Sequence, residues 1–275
     1  MDMTSQKIAN DIKIEVKKSY NFLYSWAKKY SDKDVRSAFF ELSYISLYSH
    51  YRNFYTGIDF NQFYEPFKEI PHNNHPEHLN TIFKNYYHSS NFMLMIRVYS
   101  SFELSLNLIC DKCLNEKNKN ELLNIDAEKL KKDLKNCHLI LPDNIYNKHK
   151  FKSLSRVPFL RKLRLLLKQQ EKELSIERKE ILNFFECLMH YRNSIHTNFV
   201  YQGNEDKHYE IEYNNEIITF NFKNNEIVQM ASKDEWLGTT HLVGKTINYA
   251  NLIYESLQYH NKIIDPSYEI FKFKN

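Results

Sequence analysis

The sequence predicts a mainly α protein: a helical bundle with a small inserted three-stranded antiparallel meander. Only 4 Gly and 6 Pro interrupt a chain of 275 residues in which 42% are hydrophobic, and this composition favours long helices over an all-β fold with many turns. Along most of the chain, apolar residues recur at three- and four-residue steps, as they do on amphipathic helices. Residues 208–230 instead alternate between apolar and polar, which is typical of strands.

The first 76 residues predict an N-terminal helical segment. The pattern from residue 5 to residue 55 indicates two helices, and Ser31 followed by Asp34 is a plausible start for the second. A cluster of prolines that ends at Pro76 predicts an irregular connection. We therefore place a boundary there and expect residues 77–275 to form the larger bundle that carries the meander.

The tetrapeptide His-Tyr-Arg-Asn occurs twice, at residues 50–53 and 190–193. Only the second copy is followed by a suitably placed histidine, because Thr56 occupies the position equivalent to His196. With Tyr and Asn so common in this chain, coincidence is the simpler interpretation. A degenerate repeat is the alternative.

The most apolar helix is predicted at residues 91–114, and we expect it at the centre of the bundle. Arg97 and Glu103 are its polar exceptions. Glu103 could form an ion pair with Arg192, and Arg97 could add a second cation to a functional site. Either side chain could instead simply face water, as polar residues on long helices usually do.

The four cysteines fit the reduced thiols of a cytosolic protein. Cys110 and Cys113 form a C-x-x-C, and Cys137 is followed by His138, which raises the possibility of a zinc site. However, the C-x-x-C lies within a continuous helical pattern without turn residues, and the later pair does not repeat a ligand spacing. We expect ordinary buried cysteines and no metal.

A run of positively charged residues is the clearest electrostatic feature of a chain whose formal net charge is +4. No acidic residue occurs between Asp143 and Glu171. Mutual pairing cannot explain such a run; a solvated face could, but a phosphate backbone is the natural counter-surface. The residues that we assign to RNA binding are Lys152, Arg156, Arg161, Lys162, Arg164 and Lys168.

The stretch 181–201 predicts an amphipathic helix whose apolar stripe also carries Arg192 and His196. Residues four apart on a helix are neighbours, with Cβ atoms about 5–6 Å apart. An imidazole that moves a proton beside a permanent cation suits phosphodiester chemistry. Alternatively, Arg192 pairs with an acidic residue of another helix and His196 ends this one.

The segment RNSIHTN, Arg192 to Asn198, resembles the Arg-Asn-containing signature of the HEPN superfamily. The resemblance implies a helical bundle, usually dimeric, and a metal-independent endoribonuclease of a phage-defence, abortive-infection or toxin–antitoxin system. It also implies that Arg192 and His196 carry catalysis, with support from Asn193. The spacing between Arg and His is shorter here than is common in the family.

After this helix, the meander should turn at Asn214-Asn215 and again at Asn224-Asn225, because Asn tolerates the positive φ of two-residue hairpins. A last helix is predicted from near Ser232 to about Asn261, before Pro266.

We expect a protein that cleaves RNA and needs no cofactor. We also expect a homodimer in which the two motif helices meet, since Phe185 and Met189 need cover. An antitoxin or neighbouring defence protein is a possible partner. No signal-like start and no uninterrupted apolar run of about 18 residues occur, so we expect a cytoplasmic protein without membrane contact. The alternatives are a non-catalytic module that binds nucleic acid or a nucleotide, and a structural or partner-binding protein.

Overall fold

The computed structural model describes residues 3–58, 76–123, 153–231 and 238–266, with the backbone alone at 3–6, 55–58 and 76–89. Within these residues the protein is mainly α with one small antiparallel sheet, as predicted. The elements are α1 Met3–Lys29, α2 Val35–Ile58, α3 Pro76–Cys113, α4 Glu116–Leu123, a 3₁₀ turn Leu154–Arg156, α5 Phe159–Gln169, α6 Arg178–Ile195, β1 Lys207–Tyr213, β2 Glu216–Phe222, β3 Gln229–Ala231 and α7 Gly238–Ser256.

Helix α3 lies at the centre of the bundle, where it packs against α2, α5 and α7. Its Phe102, Leu106 and Ile109 are completely buried, which confirms the central position predicted for this stretch. One buried cluster extends from Trp26 in α1 to Ile263 beyond α7. The described residues on either side of position 76 therefore share this cluster, beside which a small second cluster of Ile8, Ala9, Ile12 and Phe54 joins α1 to α2.

Part of α3, Ser90–Cys113, is long and apolar enough to cross a membrane, judged by length and composition alone. It is the one such segment among the described helices. Core helices of soluble proteins satisfy the same criterion, and this segment supplies much of the central core described above. Its composition is therefore weak support for a membrane span.

A buried ion pair joins the start of α2 to the chain that follows α7. Arg36 donates from Nε to Oδ1 of Asp34 at 2.7 Å and from Nη2 to Oδ2 at 2.8 Å, and both side chains are fully buried. Arg36 also donates to the backbone carbonyls of Tyr259 and Asn261, while the N–H of Ile263 donates to Asp34. These bonds fasten the last described segment of the chain to the start of α2.

Helix α7 ends at Ser256, about five residues before the predicted end near Asn261. The carbonyls of Tyr259 and Asn261 accept from Arg36 and so are not part of a helical ladder. The predicted helix start near Ser232 lies outside the described residues.

The hairpin between β1 and β2 has the predicted two-residue turn. Tyr213 pairs with Glu216, and Asn214 and Asn215 both have positive φ, 51° and 61°. Such a turn matches the twist of the flanking strands. Alternate residues of both strands, among them Ile211 and Phe220, face the helices.

The second predicted two-residue hairpin is wrong, because six residues, 223–228, separate β2 from β3. Asn225 does adopt a positive φ of 60°. However, its N–H donates to the carbonyl of Tyr201, and the N–H of Tyr201 donates to the carbonyl of Glu226. This loop is longer because it pairs with the segment that leaves α6, instead of reversing tightly on itself.

Candidate functional site

The buried side of α6 is rotated relative to the predicted stripe. Its buried residues are Ile181, Phe184, Phe185, Cys187, Leu188, Tyr191 and Ser194. The apolar residues Leu182 and Met189 of the same helix are only half-buried. Arg192 is consequently half-buried at the margin of the core, and His196 is exposed beyond the end of the helix. The prediction that both lie on the apolar stripe is therefore wrong.

Three features define the surroundings of Arg192. Its guanidinium carbon lies 5.8 Å from the centre of the Tyr99 ring on α3. Its Nη1 donates to Oδ1 of the adjacent Asn193 at 3.3 Å. Its Nε is buried and has no hydrogen-bond partner in the described part of the chain. Because a buried guanidinium donor is costly to leave unpaired, this group is suited to receive an anionic ligand.

His196 directly follows the last turn of α6. Its backbone is still right-handed helical, with φ −68° and ψ −16°, and its N–H donates to the carbonyls of Asn193 and Ser194. This geometry keeps His196 one turn from Arg192, at a Cβ separation of about 5–6 Å. The imidazole is solvent-exposed, so a proton-transfer group and a permanent cation share the same end of the helix.

The chain leaves the site through an unusual backbone conformation. Asn198 and Phe199 both have positive φ, 54° and 65°, and such a conformation is uncommon for an aromatic residue. Phe199 is held by the ring of Phe92, with centroids 4.8 Å apart, and its carbonyl accepts from the N–H of Val228. Strained backbone of this kind clusters at functional sites, and sequence reasoning did not locate it beside His196.

The possible ion pair between Glu103 and Arg192 is not formed, since neither residue has an ion-pair partner in the described structure. Both charges nevertheless act on Tyr99. Burial raises the pKa of the Tyr99 hydroxyl well above its usual value, Glu103 raises the pKa further, and Arg192 opposes them. Tyr99 thus lies near both charges, and the half-buried Glu103 is one turn along α3 from it.

Arg97 does not lie beside Arg192. It is exposed and lines cavities between α2 and α3, together with Ser46 of α2. Tyr99, two residues later, points to the side of α3 that meets Arg192, because successive residues turn by about 100° around a helix. The expectation that Arg97 supports the site as a second cation is therefore wrong for this structure.

Lys162 is a second correction, because it is fully buried and cannot lie against an RNA backbone. Its Nζ donates to Oδ1 of Asn107 and to the carbonyl of Leu154. Burial lowers the pKa of the Lys162 ammonium, and the charge of Glu103 opposes that shift. This lysine joins α5 to α3 and the 3₁₀ turn, so its role is structural.

The other residues of the basic run are placed differently. Arg156, Arg164 and Lys168 are exposed, and the last two share a face of α5 because they are four residues apart. Arg161 is half-buried and donates to the carbonyl of Glu121 at 2.7 Å. Lys152 lies outside the described residues, as do Lys148 and Lys150.

The beginning of α5 is the end nearest to Arg192. The ring of Phe159, the first residue of α5, lies 5.2 Å from that of Tyr99, which in turn packs beneath Arg192. Arg156 is exposed just before this contact. The exposed positive charges of this region therefore start close to the candidate site.

The thiols are poorly suited to metal binding. Burial raises the pKa of Cys110 to about 12 and that of Cys113 to about 11, so both are protonated at neutral pH. Burial also raises the pKa of the Cys187 thiol. Within the described residues no group of three His, Cys, Asp or Glu side chains is placed to hold a metal ion. Cys137 and His138 lie outside those residues.

Comparison of the chain with protein-family models, with curated proteins and with solved structures found no match.

Proposed function

We propose that this protein is a HEPN-like, metal-independent endoribonuclease. The observation that carries the proposal is the pair at the end of α6: an exposed His196 one helical turn from a half-buried Arg192. The pair lies in the RNSIHTN segment that resembles the family signature. A proton-transfer group beside a fixed cation is the minimum that phosphodiester transesterification needs.

In the proposed reaction, the 2′-hydroxyl oxygen of the RNA attacks the adjacent phosphorus, and the bond from phosphorus to the 5′-oxygen breaks. His196 acts as general base by taking the 2′-hydroxyl proton, or as general acid by giving a proton to the departing 5′-oxygen. Arg192 stabilises the extra negative charge on the phosphorane-like transition state. Asn193 supports the arginine through its 3.3 Å hydrogen bond to Nη1.

The exposed side chains of Arg156, Arg164 and Lys168 would guide the RNA, and the nucleotide strand itself supplies the nucleophile. A homodimer remains part of the proposal because the family resemblance implies it. The argument from unsatisfied apolar surface is weaker, since Phe185 is fully buried within its own chain. Restraint by an antitoxin or a neighbouring defence protein also follows from the resemblance. A cytoplasmic location is part of the proposal because the sequence has no signal-like start and no long uninterrupted apolar run.

A non-catalytic RNA-binding module is the second candidate. The observation that favours it is the packing of Arg192 over the Tyr99 ring together with its bond to Asn193, because a guanidinium held in this way can serve the fold alone. In that case the basic residues of α5 would bind RNA without a reaction at His196.

The test is cleavage of a labelled RNA oligonucleotide in excess chelator by the parent protein and by His196→Ala. The proposal predicts cleavage by the parent and its loss in the variant, with RNA affinity nearly unchanged. His260→Ala is the matched control, because His260 is another exposed histidine, located outside the motif.

Cleavage by His196→Ala at the parental rate would contradict the proposal, as would a strict requirement for a divalent ion. Salt-dependent binding of RNA by a parent protein that does not cleave it would support the second candidate.

A further inference from the structure

Two adjoining cavities lie between α2 and α3, on the side of α3 that carries Arg97. Their volumes are about 300 Å³ and about 830 Å³. Ser46 and Arg97 line both of them, so the two spaces are parts of one groove. Both volumes are within or close to the range of about 300–1,000 Å³ that is usual for small-molecule sites. The residues of the ribonuclease proposal are not among those that line it.

The smaller cavity is lined by the apolar side chains of Met93 and Leu94 and by six polar residues, Ser46, Ser49, His50, Asn53, Ser90 and Arg97. His50 is buried, and its Nδ1 forms a 2.9 Å hydrogen bond with Oγ of Ser90. Burial lowers the pKa of His50 to about 4, so the imidazole is neutral at physiological pH. The positive charge on this part of the groove therefore comes from Arg97.

Arg97 has no ion pair and no hydrogen bond within the described structure, and the side chains of Ser46, Ser49 and Asn53 likewise lack partners there. The cavity therefore offers a guanidinium, two hydroxyls and an amide that have no partner among the described residues. A guanidinium fork with nearby neutral donors is the arrangement that proteins use for carboxylate and phosphate groups. The polar end of the groove thus matches a single anionic head group.

The larger cavity has a different chemistry. Ala38, Leu42, Ile45 and Leu104 give it an aliphatic wall, and the last three are large side chains that remain between 42% and 53% exposed. No aromatic ring is among the described residues that line it, so it does not offer the stacking platform that nucleobases use. An aliphatic wall of this kind suits a hydrocarbon chain.

Charge complementarity also orients the ligand. Glu41 and Asp265 line the larger cavity only, whereas Arg97 lies where the two cavities meet. The guanidinium attracts an anion, while an uncharged hydrocarbon chain is indifferent to the charges around it. The head group is therefore confined to the part of the groove near Ser46 and Arg97.

We infer that this groove binds a free, single-chain amphiphile whose anionic head group meets Arg97 and the Ser46, Ser49 and Asn53 side chains, and whose aliphatic chain lies along Leu42, Ile45 and Leu104. The head group is a carboxylate or a phosphate, which share this chemistry. The inference does not rest on the ribonuclease proposal, because Arg192 and His196 are on a different helix.

The experiment is titration calorimetry of the full chain with dodecanoate, dodecyl phosphate and dodecanol, each below the concentration at which it aggregates. At least one of the two anions should bind saturably, and dodecanol should bind at least about tenfold more weakly. Arg97→Gln should reduce the affinity for the anion to the level of dodecanol. Lys13→Gln removes an exposed positive charge of α1, away from the groove, and should leave all three affinities unchanged.

Leu42→Asn and Leu104→Asn test the apolar part of the groove, and each should weaken all three ligands. Both side chains are partly exposed, so these variants should retain the parental circular dichroism and unfolding midpoint. The inference is overturned if neither anion binds the parent, if dodecanol binds as well as the anions do, or if Arg97→Gln binds the anion as tightly as the parent.

Discussion

The guanidinium carbon of Arg192 lies 5.8 Å from the centre of the Tyr99 ring, across the contact between α6 and α3. Tyr99 is itself only 3% exposed, so the ring is a rigid support. A cation over an aromatic face contributes roughly 0.5–2 kcal/mol, the larger values belonging to desolvated pairs. The contact therefore both stabilises the protein and directs the cation towards the end of α6.

Tyr99 should accordingly act as a positioning residue for the proposed reaction. Tyr99→Phe keeps the ring under the guanidinium and should retain most of the cleavage rate. Tyr99→Leu removes the ring and should lower kcat about tenfold, because each 1.4 kcal/mol lost in the transition state is about a factor of ten. Single-turnover cleavage by both variants checks this, with unfolding midpoints measured in parallel. Equal rates for the two variants would remove Tyr99 from the mechanism.

The buried ion pair between Asp34 and Arg36 should be a large contributor to stability once one partner is removed. Asp34→Asn leaves a buried guanidinium without its counter-charge and should cost about 3–5 kcal/mol in the free energy of unfolding. Asp32→Asn is the matched control, because Asp32 is exposed and should change stability by less than about 0.5 kcal/mol. Urea unfolding of the two variants makes the comparison, and similar losses would contradict it.

Stability should fall on acidification in a way that depends on His50. Its pKa is lowered by burial to about 4 in the folded protein. The unfolded state, with an ordinary histidine pKa of about 6.5, therefore binds more protons between these two values. The contribution of His50 to stability is full above about pH 6.5 and is lost progressively down to about pH 4, amounting to roughly 3 kcal/mol.

The measurement is the difference in unfolding free energy between the parent and His50→Gln, followed from about pH 7.5 to about pH 4. Carboxylates titrate in both proteins, so the difference isolates the histidine. It should shrink as the pH falls. A difference that does not change with pH would contradict the buried, neutral His50.

The exposed basic residues of α5 should carry the salt dependence of RNA binding. Changing Arg164 and Lys168 together to Gln should weaken binding across sequences and reduce the slope of log affinity against log salt by up to about 1.4, since each single-strand phosphate contact contributes about 0.7. Lys162→Met is the control within the same helix. Because Lys162 is buried, it should leave the slope unchanged. If Lys162→Met reduced the slope of log affinity against log salt more than the double variant did, Lys162 rather than Arg164 and Lys168 would be the RNA contact, contrary to this account.

The sequence predicted correctly those features that a few neighbouring residues determine. The break between α1 and α2 lies where it was predicted, although α2 begins at Val35 and the capping side chain is Asp34 rather than Ser31. The turn at Asn214-Asn215 follows from positive φ. Helical class follows from periodicity in the same way. These features were correct because no distant residue is needed to explain them.

The errors concern side chains whose surroundings come from far along the chain. Lys162 belongs to a run of positive charge, yet Asn107, a residue of α3, accepts its ammonium and makes it a core residue. Phe185 is covered by the ring of Phe102 at 5.0 Å, so it needs no second subunit to bury it. Charge and hydropathy patterns cannot show which distant element will meet a given side chain.

The most direct test of the central claim is the chemical identity of the ends that the protein leaves on RNA, read by mass spectrometry after cleavage in excess chelator. Attack by the 2′-hydroxyl, with His196 moving the proton and Arg192 stabilising the transition state, predicts a 2′,3′-cyclic phosphate on one fragment and a 5′-hydroxyl on the other. It also predicts that a single 2′-deoxy substitution at the cleaved position blocks the reaction. Fragments that carry a 3′-hydroxyl and a 5′-phosphate, or cleavage that tolerates the deoxy substitution, would contradict the account.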